Sequence, residues 1–322
     1  MKPPYNITPL ILELITSISE KIGAINATHL QLPRAELRRS NTIKTIHASL
    51  AIEGNTLSID QITALLDNKR VIAPKKDIVE VHNAISVYES LDTLEANSIN
   101  SFLKAHKLLM NGLVATPGKF RTTGVGIVKG AKLAHLAPKA NMVKPLMNDL
   151  FSYLKLDKDP ALIKSCVFHY ELEFIHPFDD GNGRMGRLWQ TVILKEVNPV
   201  FSFLPVESII RNTQKKYYKS LESSDASGNS TLFIEYMLGA INLALKDQLD
   251  LPRLPLNKDD RIGLYNKIVN QNIFTRKDYL DYFKEISTAT ASRDLKIAVD
   301  QKVIVKSGDK RTANYRFVKK GK

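Results

Sequence analysis

The stretch His176-Pro177-Phe178-Asp179-Asp180-Gly181-Asn182-Gly183-Arg184-Met185-Gly186-Arg187 sets an imidazole, two carboxylates, a Gly-Asn-Gly turn and two arginines within twelve residues. Upstream, Leu162, Ile163, Cys166, Val167, Tyr170 and Phe174 recur at three- and four-residue steps, which predicts a helix. Pro177 blocks that helix, and Gly181 and Gly183 permit a tight turn with backbone amides left uncovered. Downstream, Leu188, Trp189, Val192, Ile193 and Val197 predict a second helix. Gly183 to Arg187 open that helix, where free amides and the dipole attract anions. Arg184 and Arg187 oppose the dipole, yet lie three residues apart and point the same way. A polyphosphate resolves the conflict by accepting from the amides and from both guanidinium forks. Plain capping by Asp180 or Asn182 accounts for at most two of the polar and glycine positions.

Two look-alikes fail. Residues 181–186 match G-x-G-x-x-G, with Glu207 near the spacing of a ribose contact, but that fingerprint requires a preceding buried strand. Here the preceding segment has helical spacing. Gly118-Lys119 lacks both the spacing and the following hydroxyl of a P-loop. A metal site on His169, Glu173 and His176 is disfavoured because Pro177 displaces the last of them from the helix face.

The stretch resembles the signature of the Fic family, His-x-Phe-x-Asp/Glu-Gly-Asn-Gly-Arg-x-x-Arg, and every fixed position is met. The resemblance implies a mostly α Fic-type helical bundle with a β-hairpin flap. It implies a protein adenylyltransferase that moves AMP from ATP to a Ser, Thr or Tyr hydroxyl of a target protein, itself included. His176 would be the general base, Asp180 the Mg²⁺ ligand and Gly181-Asn182-Gly183 the anion hole. Arg184 and Arg187 would hold the outer phosphates, with Met185 and Gly186 in the same ATP-binding turn. The residue chemistry agrees: transfer at phosphorus needs positioning and charge stabilisation, and a hydroxyl needs a base that titrates near neutrality.

Toward the N-terminus, Ile11, Leu14, Ile15, Ile18, Ile22 and Ile25 form one apolar stripe of a core helix. Pro33 and the charged residues Arg34, Glu36, Arg38 and Arg39 separate it from a helix expected to start near Asn41. On that helix Ser49 and Glu53 share a face, and Gly54 suits the left-handed position past its end. A carboxylate in a last turn opposes the dipole, although a solvated glutamate is the plainer reading. In the Fic resemblance, Ser49 to Gly54 is similar to the inhibitory element, with Glu53 pairing Arg187 in place of an outer phosphate. Ser58 to Gln61 reads as a capping box, and helices follow to about Asn68, over 75–94, and after Ser98 or Asn100. His82 and His106 read as packing or surface histidines.

Residues 116–145 break the helical pattern, with a short strand at 125–128 turning back along 133–136. A plain surface hairpin explains this; the resemblance implies a flap, Gly126, Ile127, Val128, Lys129 and Gly130, that pairs with the target backbone. Val143 to Leu156 returns to helix. After the central motif a helix is expected over 209–221 and a loop over 222–229. Tyr217 or Tyr218 would flank the adenine, where amphipathic packing is the plainer account, and Asp225 falls where the family often carries Asn.

Leu251 to Leu256 reads as a stiff linker. Beyond it, three helices and a hairpin, 303–306 and 315–317, resemble a winged helix. Thr288, Thr290, Ser292, Arg293 and Lys296 would face outward, and Lys310 and Arg311 would lie on the wing. Residues 256–322 carry 16 Lys and Arg against 8 Asp and Glu, part of a chain-wide net charge of +13, which hints at an acidic partner, although solubility alone also explains it and a protein-docking or dimerising appendage is the plainer reading of this unit. The expected organisation is an N-terminal helical region, 1–110, a catalytic core, 111–250, and a small α+β unit, 256–322. A single cysteine, Cys166, argues against a disulfide scaffold, and with no signal-like or membrane-spanning run the expected location is cytoplasmic. ATP and Mg²⁺ are the expected cofactors, a target protein the expected partner, and a homodimer or nucleic acid further candidates. Alternatives are the same site using another donor or removing AMP, and a DNA-binding regulator that senses nucleotide.

Overall fold

The computed structural model describes residues 2–27, 35–124, 126–129, 132–250, 256–269, 272–309 and 313–318. Pro33, Arg34, Gly130, linker residues 251–255, Lys310 and Arg311 lie outside them. The chain divides into two compact units, Met1–Leu251 and Pro252–Lys322, and is mostly helical.

The first unit runs α1 (Pro9–Ala27), α2 (Ala35–Ile52), α3 (Ile59–Leu66), α4 (Lys75–Glu89), α5 (Ile99–Leu109), β1 (Gly126–Lys129), β2 (Lys132–Leu136), α6 (Ala140–Leu156), α7 (Ala161–Ile175), α8 (Asn182–Lys195), α9 (Val206–Asn212), α10 (Gln214–Ser227) and α11 (Thr231–Asp250). At its centre α7 and α8 lie against one another. α7 is buried along most of its surface, from Leu162 to Ile175, as an apolar helix inside a bundle must be. Phe102 of α5 ties the layers together, edge-on to Trp189 of α8 at 5.0 Å and to Phe151 of α6 at 5.5 Å. The Ser58–Gln61 capping box is present.

Five expectations shift. α2 begins at Ala35, so Glu36, Arg38 and Arg39 lie on the helix, where Arg39 pairs with Asp67. The helix expected over 75–94 ends at Glu89 and is followed by a 3₁₀ turn, Leu91–Thr93. The 209–221 helix is broken at Thr213, and the expected serine-rich loop is helix up to Ser227, closed by Gly228 at φ 66°. Ser224 there is fully buried and accepts from the Phe233 amide, a tertiary contact that overrides weak helix propensity. Phe174 and Val197, expected on apolar faces, are exposed.

The second unit comprises α12 (Lys258–Val269), β3 (Phe274–Thr275), α13 (Arg276–Tyr282), α14 (Thr288–Asp300), β4 (Ile304–Ser307) and β5 (Asn314–Phe317). The hairpin pairs Ile304 with Phe317, and the two-residue β3 joins β5 on the other side to make an antiparallel sheet ordered β3-β5-β4. Tyr265, Phe274, Tyr279, Leu295, Ile304 and Phe317 fill its core. Inside it Arg261 makes a two-pronged ion pair with Asp294, at 2.6 and 3.0 Å.

Candidate active site

His176 caps α7 in the left-handed conformation, φ 50°, with its amide donating to the Leu172 carbonyl at 2.9 Å. A non-glycine residue there is uncommon, and such strain concentrates at functional positions. The chain then turns through Pro177 and buried Phe178. Asn182 closes the turn: its amide donates to the Phe178 carbonyl and accepts from the Phe178 amide, both at 2.9 Å. Asn182 is therefore a clamp rather than an N-cap. The cap position belongs to Gly181, φ 88°, where an added Cβ would stand 2.7 Å from Met110 Sδ.

A residue that the sequence reading left as packing supports this turn. The Gly118 amide donates to His106 Nδ1 at 2.8 Å, so the ring hydrogen is on Nε2, which donates to the Asp180 carbonyl at 3.0 Å. The ring stacks on Phe178 with centroids 3.6 Å apart, and burial pushes its pKa down to about 4. His106 is thus a neutral strut under the motif. Its bare acceptor and its stacking partner are both made by tertiary packing, so no local pattern announces it.

Around the start of α8 the charged groups converge. Arg187, 2% exposed, donates from Nη2 to Glu53 Oε1 at 2.7 Å and to the Ser49 carbonyl at 3.0 Å, and from Nε to Ser49 Oγ at 3.1 Å. Burial alone would lower its pKa, but the Glu53 carboxylate overrides it and holds the cation firmly. Arg184 leans the other way, to Glu80 and Asp180 at 3.1 Å each, and its buried Nε has no partner among the described residues. The two guanidiniums therefore diverge rather than point the same way. A Cβ added to Gly183 would lie 2.6 Å from Glu53 Oε1, which places that carboxylate directly over the first turn of α8. The free amides of this turn and a firmly charged arginine form a cradle for an anion, and Glu53 occupies its edge.

Tyr217 and Tyr218 separate in role. Tyr217 is 1% exposed, packed against Tyr218 and Phe233, with its hydroxyl on His169 at 3.1 Å and on Glu173 at 3.2 Å. The Tyr217 ring is therefore packed in the core and not offered to a ligand, unlike its expected placement, whereas Tyr218 is half-buried. Burial, then the Glu53 charge, raises the Glu173 pKa to about 7. Met185 is likewise core, 0% exposed, so only its backbone belongs to the turn. Asp225 accepts from the Tyr170 hydroxyl at 2.8 Å. Gly186 sits where α7 comes closest: a Cβ there would meet His169 Cδ2 at 2.6 Å. Strands β1 and β2 pair antiparallel from Gly126 opposite Leu136 to Lys129 opposite Lys132, with an irregularity between Ile127 and Val128.

A helical bundle with an anion cradle at one helix N-terminus and a histidine at the preceding helix end defines the class. The Fic/DOC family pattern matches residues 97–194. The crystal structure of a Fic family protein from Desulfovibrio desulfuricans G20 is 39% identical and aligns over 100% of both chains with a TM-score of 0.76. Protein adenylyltransferase fic-1 from Caenorhabditis briggsae is 31% identical over 65% of this chain and 42% of its own length. Protein adenylyltransferase Fic from Nematostella vectensis is 29% identical over 71% of this chain and 55% of its own. The chain spans about half the length of the curated relatives it matches. It belongs to the Fic family. Among the described residues no helix is long and apolar enough to cross a membrane.

Proposed function

We propose that the chain is a protein adenylyltransferase, transferring AMP from ATP to a hydroxyl of a target protein, and that Glu53 holds it off. The observation that carries the reading is the Glu53–Arg187 pair, 2.7 Å apart, set over the amide-rich start of α8. A carboxylate there takes the position and partner that an outer phosphate of ATP would use.

The steps follow from the residues. The amides of Asn182, Gly183 and Arg184 at the start of α8 hold the innermost phosphate and stabilise charge as it develops there, while the Gly181 amide donates to Asp180 Oδ1 at 2.6 Å. Arg187, and Arg184 from its opposite lean, hold the outer phosphates. His176 takes the proton from the target hydroxyl as its oxygen attacks the α-phosphorus. The bond to the β-phosphate breaks and pyrophosphate leaves. Asp180, its side chain 52% exposed at the mouth of the turn, is the residue that would hold Mg²⁺. That ion, when bound, supplies neutralisation of the phosphate charge. Strands β1 and β2 offer open edges on which an extended target segment adds a strand and delivers its hydroxyl. Tyr218 flanks the adenine.

Incubation with α-labelled ATP tests this in wild type, Glu53→Gly, and the double variant Glu53→Gly with His176→Ala. Label incorporated into protein by Glu53→Gly and lost in the double variant is the expected result. Incorporation that survives without His176 would remove the base assignment. A second reading rests on Asp225, whose carboxylate is engaged by Tyr170 where an adenine contact is expected: another donor is used. Better labelling from UTP or CDP-choline than from ATP would select it. The net charge of +8 on residues 256–322 (16 against 8) keeps nucleic acid as a candidate partner of the second unit, tested by a salt-dependent mobility shift.

A further inference from the structure

Arg121 lies 55 residues before His176, outside the motif, and is 2% exposed. Among the described residues no carboxylate pairs with it; carbonyls take that place. Its Nε donates to the His176 carbonyl at 2.7 Å, and Nη2 donates to the Ile175 carbonyl at 3.3 Å. Its own backbone amide donates to the Pro177 carbonyl at 2.9 Å. Three consecutive carbonyls of the corner that carries the imidazole thus end on one residue. These are orphan acceptors at the negative end of α7, which is why a buried cation is tolerated there.

The same guanidinium reaches the flap at both roots. Nη1 donates to the Thr123 carbonyl at 2.7 Å, just before β1, and Nη2 to the Pro138 carbonyl at 2.6 Å, just after β2. A planar fork with five N–H donors can span these directions at once; an ammonium on a flexible stem cannot.

We propose that Arg121 is a positioning residue that locks both roots of the flap to the His176 corner, so the incoming hydroxyl and the imidazole share one rigid frame. The proposal rests on the reading of His176 as base and of β1–β2 as the target-docking edge. It requires no contact between Arg121 and the reactants.

The test uses the full chain carrying Glu53→Gly, with Arg121→Lys and Arg121→Gln added, and two readouts. Amide hydrogen exchange is expected to quicken at least tenfold over 123–138 and over 176–183 together, while the middle of α7 keeps its protection. Transfer of α-labelled AMP is expected to fall 10- to 100-fold in kcat, with the KM for ATP within about threefold of the parent. Unchanged exchange at either segment overturns the proposal whatever the activity does. So does a uniform loss of protection through α7, or a KM for ATP that worsens in step with kcat, since both mark a general structural role. If the Glu53→Gly parent itself transfers no AMP, the adenylyltransferase reading falls, and exchange alone still decides whether the clamp exists.

Discussion

Glu53 Oε1 sits 2.7 Å from Arg187 Nη2, bridging the residue just past the end of α2 to the second turn of α8 across 134 residues of chain. The carboxylate is 30% exposed while the guanidinium is 1% exposed, so the pair is reachable from one side only. On the proposed function, an outer phosphate of ATP would have to displace the glutamate from that side.

Removing the carboxylate should therefore expose a waiting cation. Glu53→Gly is expected to raise AMP transfer at least tenfold, and to lower stability by roughly 1–3 kcal/mol because buried Arg187 loses its counter-charge. Added ATP should recover more of the thermal midpoint in the variant than in wild type. Ser49→Ala removes one hydrogen bond to Arg187 Nε and should raise transfer about fivefold, the equivalent of ~1 kcal/mol. Radiolabel incorporation and thermal melts check both; equal ATP rescue in variant and wild type would sink the displacement argument.

Much of this site was readable in the chain. The Ser49–Glu53 spacing puts both side chains on one helix face, and both meet Arg187. The Gly-Asn-Gly corner and the two flanking helices followed from periodicity and punctuation. What stayed hidden depends on contacts distant in sequence. His106 and Arg121 look ordinary locally and gain their roles by meeting carbonyls 74 and 55 residues away. Arg184 and Arg187 share a helix side but diverge, because Glu80 and Glu53 approach from different elements. Tyr217 and Tyr218 are adjacent, and only the packing of α10 on α11 decides which ring is buried.

Gly186 lies inside α8, where alanine ordinarily favours a helix by about 1 kcal/mol. Here the sign should reverse. The new methyl would stand 2.6 Å from Cδ2 and 2.9 Å from Nε2 of His169, a ring pinned by Gln190 and Tyr217. Gly186→Ala should cost about 1–3 kcal/mol through overpacking of the α7–α8 seam. Urea titration measures it, and a stabilised variant would show that the seam can relax.

Glu207 is 2% exposed and shares one oxygen with the Tyr88 hydroxyl at 3.4 Å, while Oε2 has no partner among the described residues. Burial raises its pKa from 4.5 to about 7. A raised folded-state pKa contributes stability that is complete below the unfolded value and lost as pH rises through 7. Glu207→Gln should therefore melt higher than wild type at pH 8–9, by up to about 3 kcal/mol, with the gap closing toward pH 5. On the acid side His106 and His169, pushed down by burial to about 4 and 3, act oppositely. Their stabilisation is complete above 6.5 and is lost as pH falls through those values. Thermal melts from pH 4 to 9 resolve the two limbs; an advantage for Glu207→Gln that is flat across that range would contradict the assignment.

The second unit has its own failure point in the Arg261–Asp294 pair, 8% and 3% exposed, which also receives the Tyr279 hydroxyl at 3.2 Å. Asp294→Asn keeps the shape and strands a buried guanidinium, at an expected cost of about 3–5 kcal/mol to that unit. Replacing both partners, Arg261→Met with Asp294→Leu, should recover most of it, because no charge is then left uncompensated. The chain's only tryptophan, Trp189, is buried in the first unit, so its fluorescence reports that unit alone, whereas far-ultraviolet circular dichroism reports both. In urea, Asp294→Asn should bring forward part of the dichroism change and leave the Trp189 midpoint where it is in wild type. Midpoints that move together would mean that the two units unfold as one cooperative body, and the cost of the stranded arginine would then be spread over the whole chain.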